Sequence, residues 1–372
     1  MNCGEGVSQI DIEYQTFPND GEEEHLTRAT LAVRSQRPSV SKFSACMVYE
    51  FGKMAQIWIN TISCRFSAEG WCTICDYWDG AFSDDSIDAV ESFVKNNGHR
   101  FDAILLNTCG SCLCDEELSF TTLEHILYII AKSSINRIIL ETHLAYVTEE
   151  KIKRITYILA GREIIIEYGQ ESTSDKVLKF CLNKPSMINE YKIIPKLREL
   201  GVKVLANIVL GVPFLSVERR ISDSVESIRT ILRNGADGVI LFPVNIKPYT
   251  LIRLLYDAGL YKRVSALEIA EVLGHFTSDV LERVSIAWFE PEREIIVPYS
   301  EIGLGPQYCD GCSKTVLQLL YDYNETTEGY IKKNIIGKML GVSCACKDNL
   351  YKYDILDIHV CYAYLKNLFS KE

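Results

Sequence analysis

The chain has 372 residues, 47% of them hydrophobic and 24% charged, a globular composition with ample material for a core. A net charge of −11 argues against a broad nucleic-acid footprint, because phosphate binding needs a surplus of Lys and Arg. The first 30 residues carry no apolar signal core, and no stretch reaches the ~18 apolar residues of a membrane span, so a cytosolic protein is expected.

Residues 1–45 read as a polar, irregular lead-in, with Pro18, Gly21 and the acidic run Glu22, Glu23, Glu24. Short apolar runs then alternate with helical patterns. The runs are 56–62, 103–108, 137–142, 164–169, 204–210 and 238–243; helical periodicity follows each, at 85–95, 122–132, 149–159, 175–182, 218–233 and 250–258. Continuous apolar strands bounded by helices predict a parallel sheet buried on both faces, and six such repeats predict an α/β fold, a partial (β/α)6 TIM-like barrel over 46–285. A further helix over 188–200 contains Pro195, which predicts an interruption there. Beyond residue 285 the alternation stops. A strand over 294–297 and helices over 315–323 and 354–369 are expected in a C-terminal extension, 286–372, rich in cysteine. Lys151, Lys153, Arg154 and Arg162 lie close in sequence, and read as solvated residues or as a local basic face.

Fourteen cysteines is a high number, and several are grouped, which in a cytosolic chain points to metal ligands or catalytic groups rather than disulfides. The first group is Cys64-x7-Cys72-x2-Cys75, directly after the first predicted strand and so at the C-terminal mouth of a barrel. Three thiolates can hold three irons of a [4Fe–4S] cluster and leave the fourth open to the amino and carboxylate groups of S-adenosylmethionine. The alternatives are a zinc site with His99 as its fourth ligand, or simple buried cysteines. Cys309-x2-Cys312 and Cys344-x-Cys346 supply four more thiolates, suited to structural zinc or to an auxiliary [4Fe–4S] cluster. Cys109, Cys112 and Cys114 read as a further cluster site, a hydrogen-atom donor or core thiols.

On these residues the chain resembles the radical S-adenosylmethionine superfamily, and within it the radical-SAM subunit of archaeosine synthase and its relatives. The loop Cys64-Arg65-Phe66 with Gly70, Cys72 and Thr73 carries the resemblance. So do Arg37-Pro38, Gly110-Ser111, Glu141-Thr142, Tyr168-Gly169-Gln170-Glu171-Ser172, Pro213-Phe214-Leu215-Ser216, Phe242-Pro243-Val244-Asn245-Ile246, the run from Gly305 to Cys312, and Cys344-Ala345-Cys346. The resemblance implies that Gly110 and Ser111 present backbone to the cofactor's amino group, that Glu171 and Asn207 hold its polar groups, and that Pro243 and Val244 line its adenine. Tyr77 and Trp78 would shield the cluster or pack in the core, and His143 would face the substrate or the rim.

It also implies a one-electron donor such as flavodoxin or ferredoxin, and a radical that removes hydrogen from an unactivated carbon. The archaeosine branch acts on a lysine-modified deazaguanine in tRNA. This chain departs from that pattern in its extra sulfurs near Gly110 and in Lys247-Pro248-Tyr249. A small biosynthetic intermediate is therefore the first expectation for the substrate and the tRNA base the second. A zinc-stapled binding protein without catalysis is a third reading.

Overall fold

Continuous Ile, Val and Leu runs must bury both faces, and the chain does so by laying its strands side by side in sequence order. The computed structural model describes residues 16–37, 46–78, 80, 82–186, 190–294, 302–348 and 357–369. Its main sheet has eight strands: β1 (Cys46–Phe51), β2 (Met54–Ile59), β3 (Ala103–Thr108), β4 (Arg137–Glu141), β5 (Glu163–Glu171), β6 (Val202–Leu210), β7 (Gly238–Pro243) and β8 (Val284–Ile286). β1 is antiparallel to β2, and every later pair is parallel. The sheet curls into a partial TIM-like half-barrel. β2 to β7 are the six expected strands; β1 and β8 extend its two edges.

Alternation along each strand separates two surfaces. Ile57, Ile104, Leu106, Ile138, Leu140, Ile164 and Ile166 are buried against the outer helices. Leu105, Asn107, Ile139, Glu141, Ile165, Glu167, Leu205 and Asn207 occupy the opposite, concave face. The helices are α1 (Glu24–Ser35), α2 (Asp85–Asn97), α3 (Phe120–Ala131), α4 (Glu149–Ile158), α5 (Ile194–Glu199), α6 (Val217–Arg233), α7 (Leu251–Asp257) and α8 (Ala266–Gly274). Five of them start on a hydroxyl: Ser119, Thr148, Ser216 and Thr250 each accept from the backbone N–H three residues on and Ser265 from that of Leu267, worth about 1 kcal/mol apiece. No helix among the described residues is long and apolar enough to cross a membrane.

Several expectations change. The lead-in is not irregular throughout: α1 buries Leu26, Ala29, Thr30 and Val33, an amphipathic stripe that its charged neighbours obscure in sequence. Pro195 does mark an interruption: the 3-10 turn Glu190–Ile193 gives way to α5 just before it, and Pro195 sits in the first turn of α5, where its missing N–H costs nothing. The helix over 175–182 is one α-turn, Asp175–Val177, that widens into a π-turn, Leu178–Leu182.

The C-terminal extension continues as α9 (Ser313–Glu325), α10 (Gly329–Leu340) and α11 (Ile358–Phe369). α10 packs on α8 and α9, and α11 packs against α1. Glu292–Glu294 pairs with Ile302–Leu304; positions 295–297 of the expected strand and 354–356 of the final helix lie outside the described residues, as do 188–189.

Candidate functional site

The chain leaves β2 at Ile59 and enters the cysteine loop at the C-terminal mouth of the half-barrel. Cys64 donates its N–H to the Tyr77 carbonyl at 2.9 Å, which closes the loop's base, and opens a helical turn, Arg65–Ala68. The Cys75 N–H reaches the Cys72 carbonyl at 3.0 Å. Cys72 itself has φ +62°, a left-handed conformation that a non-glycine residue adopts only under constraint. That constraint comes from α1. The Arg34 guanidinium is buried beneath the loop and donates to the carbonyls of Ser67, Trp71 (2.8 Å), Cys72 (3.1 Å) and Cys75 (3.3 Å). Trp78 is flanked by the guanidinium groups of Arg34 and Arg37, 4.8 and 4.7 Å from its ring centre. Sequence reading missed Arg34 because it lies in a segment taken as irregular.

Burial raises all three thiols, Cys72 to about 12. Against that, three cations act on them. Arg34 lies near all three, Lys184 near Cys72 and Cys64, and Lys247 near Cys75. Both lysines are buried and paired, Lys184 with Glu171 at 2.7 Å and Lys247 with Asp76 at 2.5 Å. Iron binding requires thiolates, so a dry pocket ringed by fixed cations suits it. Three thiolates on one loop would hold three irons of a cluster and leave the fourth open.

Gly110, after β3, lies beside Cys64 of the loop. A Cβ there would fall 2.0 Å from Glu117 Oε2 and 2.9 Å from Cys64 Cβ, so only glycine allows this approach. The Glu117 carboxylate accepts from the Ser111 N–H and, at 3.1 Å, from the Arg65 N–H, tying the β3 loop to the cysteine loop. Glu117 was not singled out in sequence, where Asp115-Glu116-Glu117 looks like a solvated acidic run. Ser111 Oγ accepts from the His143 N–H at 3.0 Å. His143 packs against the Phe66 ring and 3.5 Å from Glu190, and burial pushes its pKa down to about 3, so it is neutral.

The other predicted residues spread more widely. Glu171, with φ +57°, ends β5 at a bulge and holds Lys184. Asn207 lies on the concave face of β6. Pro243 closes β7, and Val244 donates its N–H to Leu210 at 2.8 Å. Tyr77 packs on Trp58 and under the Lys247 ammonium. Cys109, Cys112 and Cys114 diverge: Cys109 Sγ meets Asn60 Oδ1 at 3.3 Å and Cys112 Sγ the Leu106 carbonyl at 3.3 Å, while Cys114 lies by Glu117. They form no common ligand set. His99 precedes β3, at the end of the sheet opposite the cysteine loop.

Below the mouth the concave face carries a polar layer. Asn107 Nδ2 donates to Glu141 Oε2, and Asn207 Nδ2 to Glu167 Oε1 at 2.9 Å. Glu141 and Glu167 are register partners on β4 and β5, and burial raises both carboxyl groups.

The C-terminal cysteines are arranged differently. Cys309 Sγ lies 3.1 Å from Cys344 and 3.5 Å from Cys312, Cys312 lies 3.6 Å from Cys346, and all four sulfurs fall within 4.8 Å of one another. A single ion with Zn–S bonds of about 2.3 Å needs sulfurs about 3.8 Å apart, so this set fits one tetrahedral metal. Cys309 starts a tight knuckle, its carbonyl accepting from Cys312 and Ser313. Among the described residues it is the one group of His, Cys, Asp or Glu gathered this closely.

A half-barrel with a three-cysteine loop at its C-terminal mouth thus frames the candidate site, and the chain is similar to several known proteins. No family model matches it. The chain is similar to archaeosine synthase subunit beta from Methanosarcina acetivorans, 24% identical over 284 residues that cover 74% of this chain and 79% of that protein. Among solved structures it resembles Elp3 from the archaeon Methanocaldococcus infernus (TM-score 0.47, 17% identity), covering 74% of this chain and 63% of Elp3, less than two thirds of its length. It also resembles methylornithine synthase, PylB (TM-score 0.46, 14% identity), with 73% and 72% covered.

Proposed function

We propose that Cys64, Cys72 and Cys75 hold a [4Fe–4S] cluster at which S-adenosylmethionine is reductively cleaved, and that the radical so formed removes hydrogen from a small biosynthetic intermediate in the half-barrel. When bound, the cluster supplies the electron that splits the sulfonium. The observation that carries the reading is the buried cysteine loop, clamped through its carbonyls by Arg34 and offset in charge by Lys184 and Lys247. Gly110 leaves room for close approach beside Cys64, and Glu171 offers acceptors to the cofactor's hydroxyl groups. The walls of the half-barrel hold the reacting carbon near and keep water away. At the C-terminus, Cys309, Cys312, Cys344 and Cys346 hold one zinc ion as a structural staple.

A second reading, action on a modified tRNA base, is favoured by the similarity to archaeosine synthase subunit beta. The basic run offers it little, since Lys151, Lys153 and Arg154 pair with Asp115, Glu149 and Glu124, and Arg162 donates to three backbone carbonyls. Anaerobic reconstitution with iron and sulfide, followed by dithionite and S-adenosylmethionine, should yield 5′-deoxyadenosine and methionine. No 5′-deoxyadenosine from protein with a full iron load would refute the enzyme reading. A shift of bulk tRNA at physiological salt would move the substrate toward the second reading.

A further inference from the structure

With both its carboxyls ionised, the polar layer of the concave face has more acceptors than donors, and a cation beside them is what would hold them ionised against the burial that raises both. Glu141 and Glu167 face each other as register partners, an arrangement that is unfavourable for two like charges unless something lies between or beside them. Each receives one side-chain amide, from Asn107 and from Asn207. Those two amides use their N–H groups on the carboxylates, which leaves each Oδ1 at the same end of its side chain. Both Oδ1 atoms are buried and have no partner, although Asn107 is only 3% exposed and Asn207 only 8%. A buried carbonyl left without a donor carries a cost of about 1–3 kcal/mol, so two of them beside two carboxylates call for an explanation.

The nearby cations do not supply it. The Lys247 ammonium is engaged by Asp76 and lies 4.2 Å from the Tyr77 ring centre, and Lys184 is engaged by Glu171. What would satisfy the layer is a positively charged group with several N–H donors. A carboxylate or phosphate would meet two acidic groups, and an alcohol would bring one donor to four acceptors.

We propose that Glu141, Glu167, Asn107 and Asn207 form the receptor for a cationic nitrogen group of the substrate, an ammonium, amidinium or guanidinium. This rests on the reading of the half-barrel as the substrate site of a radical enzyme, and it narrows that substrate to a nitrogen base. Glu141 and Glu167 are specificity determinants: they place the cation on one wall of the half-barrel just below the mouth where the cysteine loop lies.

The test uses the full chain, reconstituted anaerobically, and calorimetric titration with four small probes of equal length. These are n-butylammonium, n-butylguanidinium, n-butanol and butyrate. The cationic probes should bind at least tenfold more tightly than n-butanol or butyrate. Glu141→Gln and Glu167→Gln should each weaken the cations about tenfold, and the double variant should erase the preference, with S-adenosylmethionine affinity held within twofold. Equal binding of n-butanol, unchanged cation binding in both variants, or a parallel tenfold loss of S-adenosylmethionine affinity would each overturn the proposal; the last would assign the carboxylates to the cofactor. If a Gln variant fails to fold, the wild-type preference among the four probes decides alone. The 5′-deoxyadenosine assay on the same preparation reads the radical chemistry independently of these titrations, so either reading can fail without the other.

Discussion

The two cysteine groups of this chain solve opposite problems. At the barrel mouth three sulfurs, that of Cys72 buried and those of Cys64 and Cys75 half-buried, are spread along a strained loop held from beneath by Arg34. At the C-terminus four sulfurs converge within 4.8 Å on a partly exposed knuckle, with Gly311 tucked against Cys309 and Cys344. Burial raises the thiols of the first group; in the second it raises Cys312 and Cys346, while Cys309 is pulled down by sulfur hydrogen bonds from Cys344 and Cys312. A closed four-sulfur site satisfies itself and needs little from its surroundings. An open three-sulfur site must borrow its order and its countercharge from elsewhere in the chain.

The most severe way to break this comparison is to remove one ligand from each side. Cys72→Ala should take iron from about four per chain to near none and 5′-deoxyadenosine to background, while one zinc per chain stays. Cys309→Ser with Cys312→Ser should do the reverse to the metals, and lower the melting temperature by about 5 °C or more as the staple is lost. Metal analysis and thermal melts read both.

If the first site borrows its order, Arg34→Ala should harm it without touching a ligand. Four carbonyls lose a charged donor, so about 2–4 kcal/mol of stability and a large part of the iron load should go, measured by denaturant unfolding and iron content. Arg34→Lys should recover little, because one ammonium cannot reproduce the guanidinium fork. Gly110→Ala should be milder, about 1–3 kcal/mol, as Glu117 moves away from the new methyl group.

The smallest effect concerns buried lysines. Lys184 and Lys247 sit on carboxylates, which raise them, whereas Lys332 in α10 donates only to the Leu281 and Val284 carbonyls and burial lowers it to about 8. Its folded form therefore binds fewer protons than the unfolded chain between about pH 8 and the ordinary lysine range. Stability from this group is gained as pH rises through that window and lost as it falls. Lys332→Met should flatten the melting temperature between pH 8 and 10.

The six central strands were legible because each is an unbroken apolar run, and the cysteine spacings needed no structure to be seen. β1 and β8 were not, being edge strands, the one half-buried and the other three residues long. Arg34 was hidden by its polar neighbours, although Leu26, Ala29, Thr30 and Val33 keep helical spacing. Glu167 stood in plain view as one acid within an apolar run. What its position meant depended on the face it occupies and on Glu141 beside it, which only the folded sheet defines.

The packing of α11 on α1 has a consequence for the order of assembly. The Tyr362 hydroxyl donates to the Phe180 carbonyl, and Lys366 pairs with Glu22, so the last helix braces the helix that carries Arg34. The cysteine loop is translated early, yet the helix that carries its clamp is braced only once α11 has been made. Cluster insertion then follows the synthesis of α11, and a product truncated before residue 358 should accumulate with its first cysteine group unmetallated.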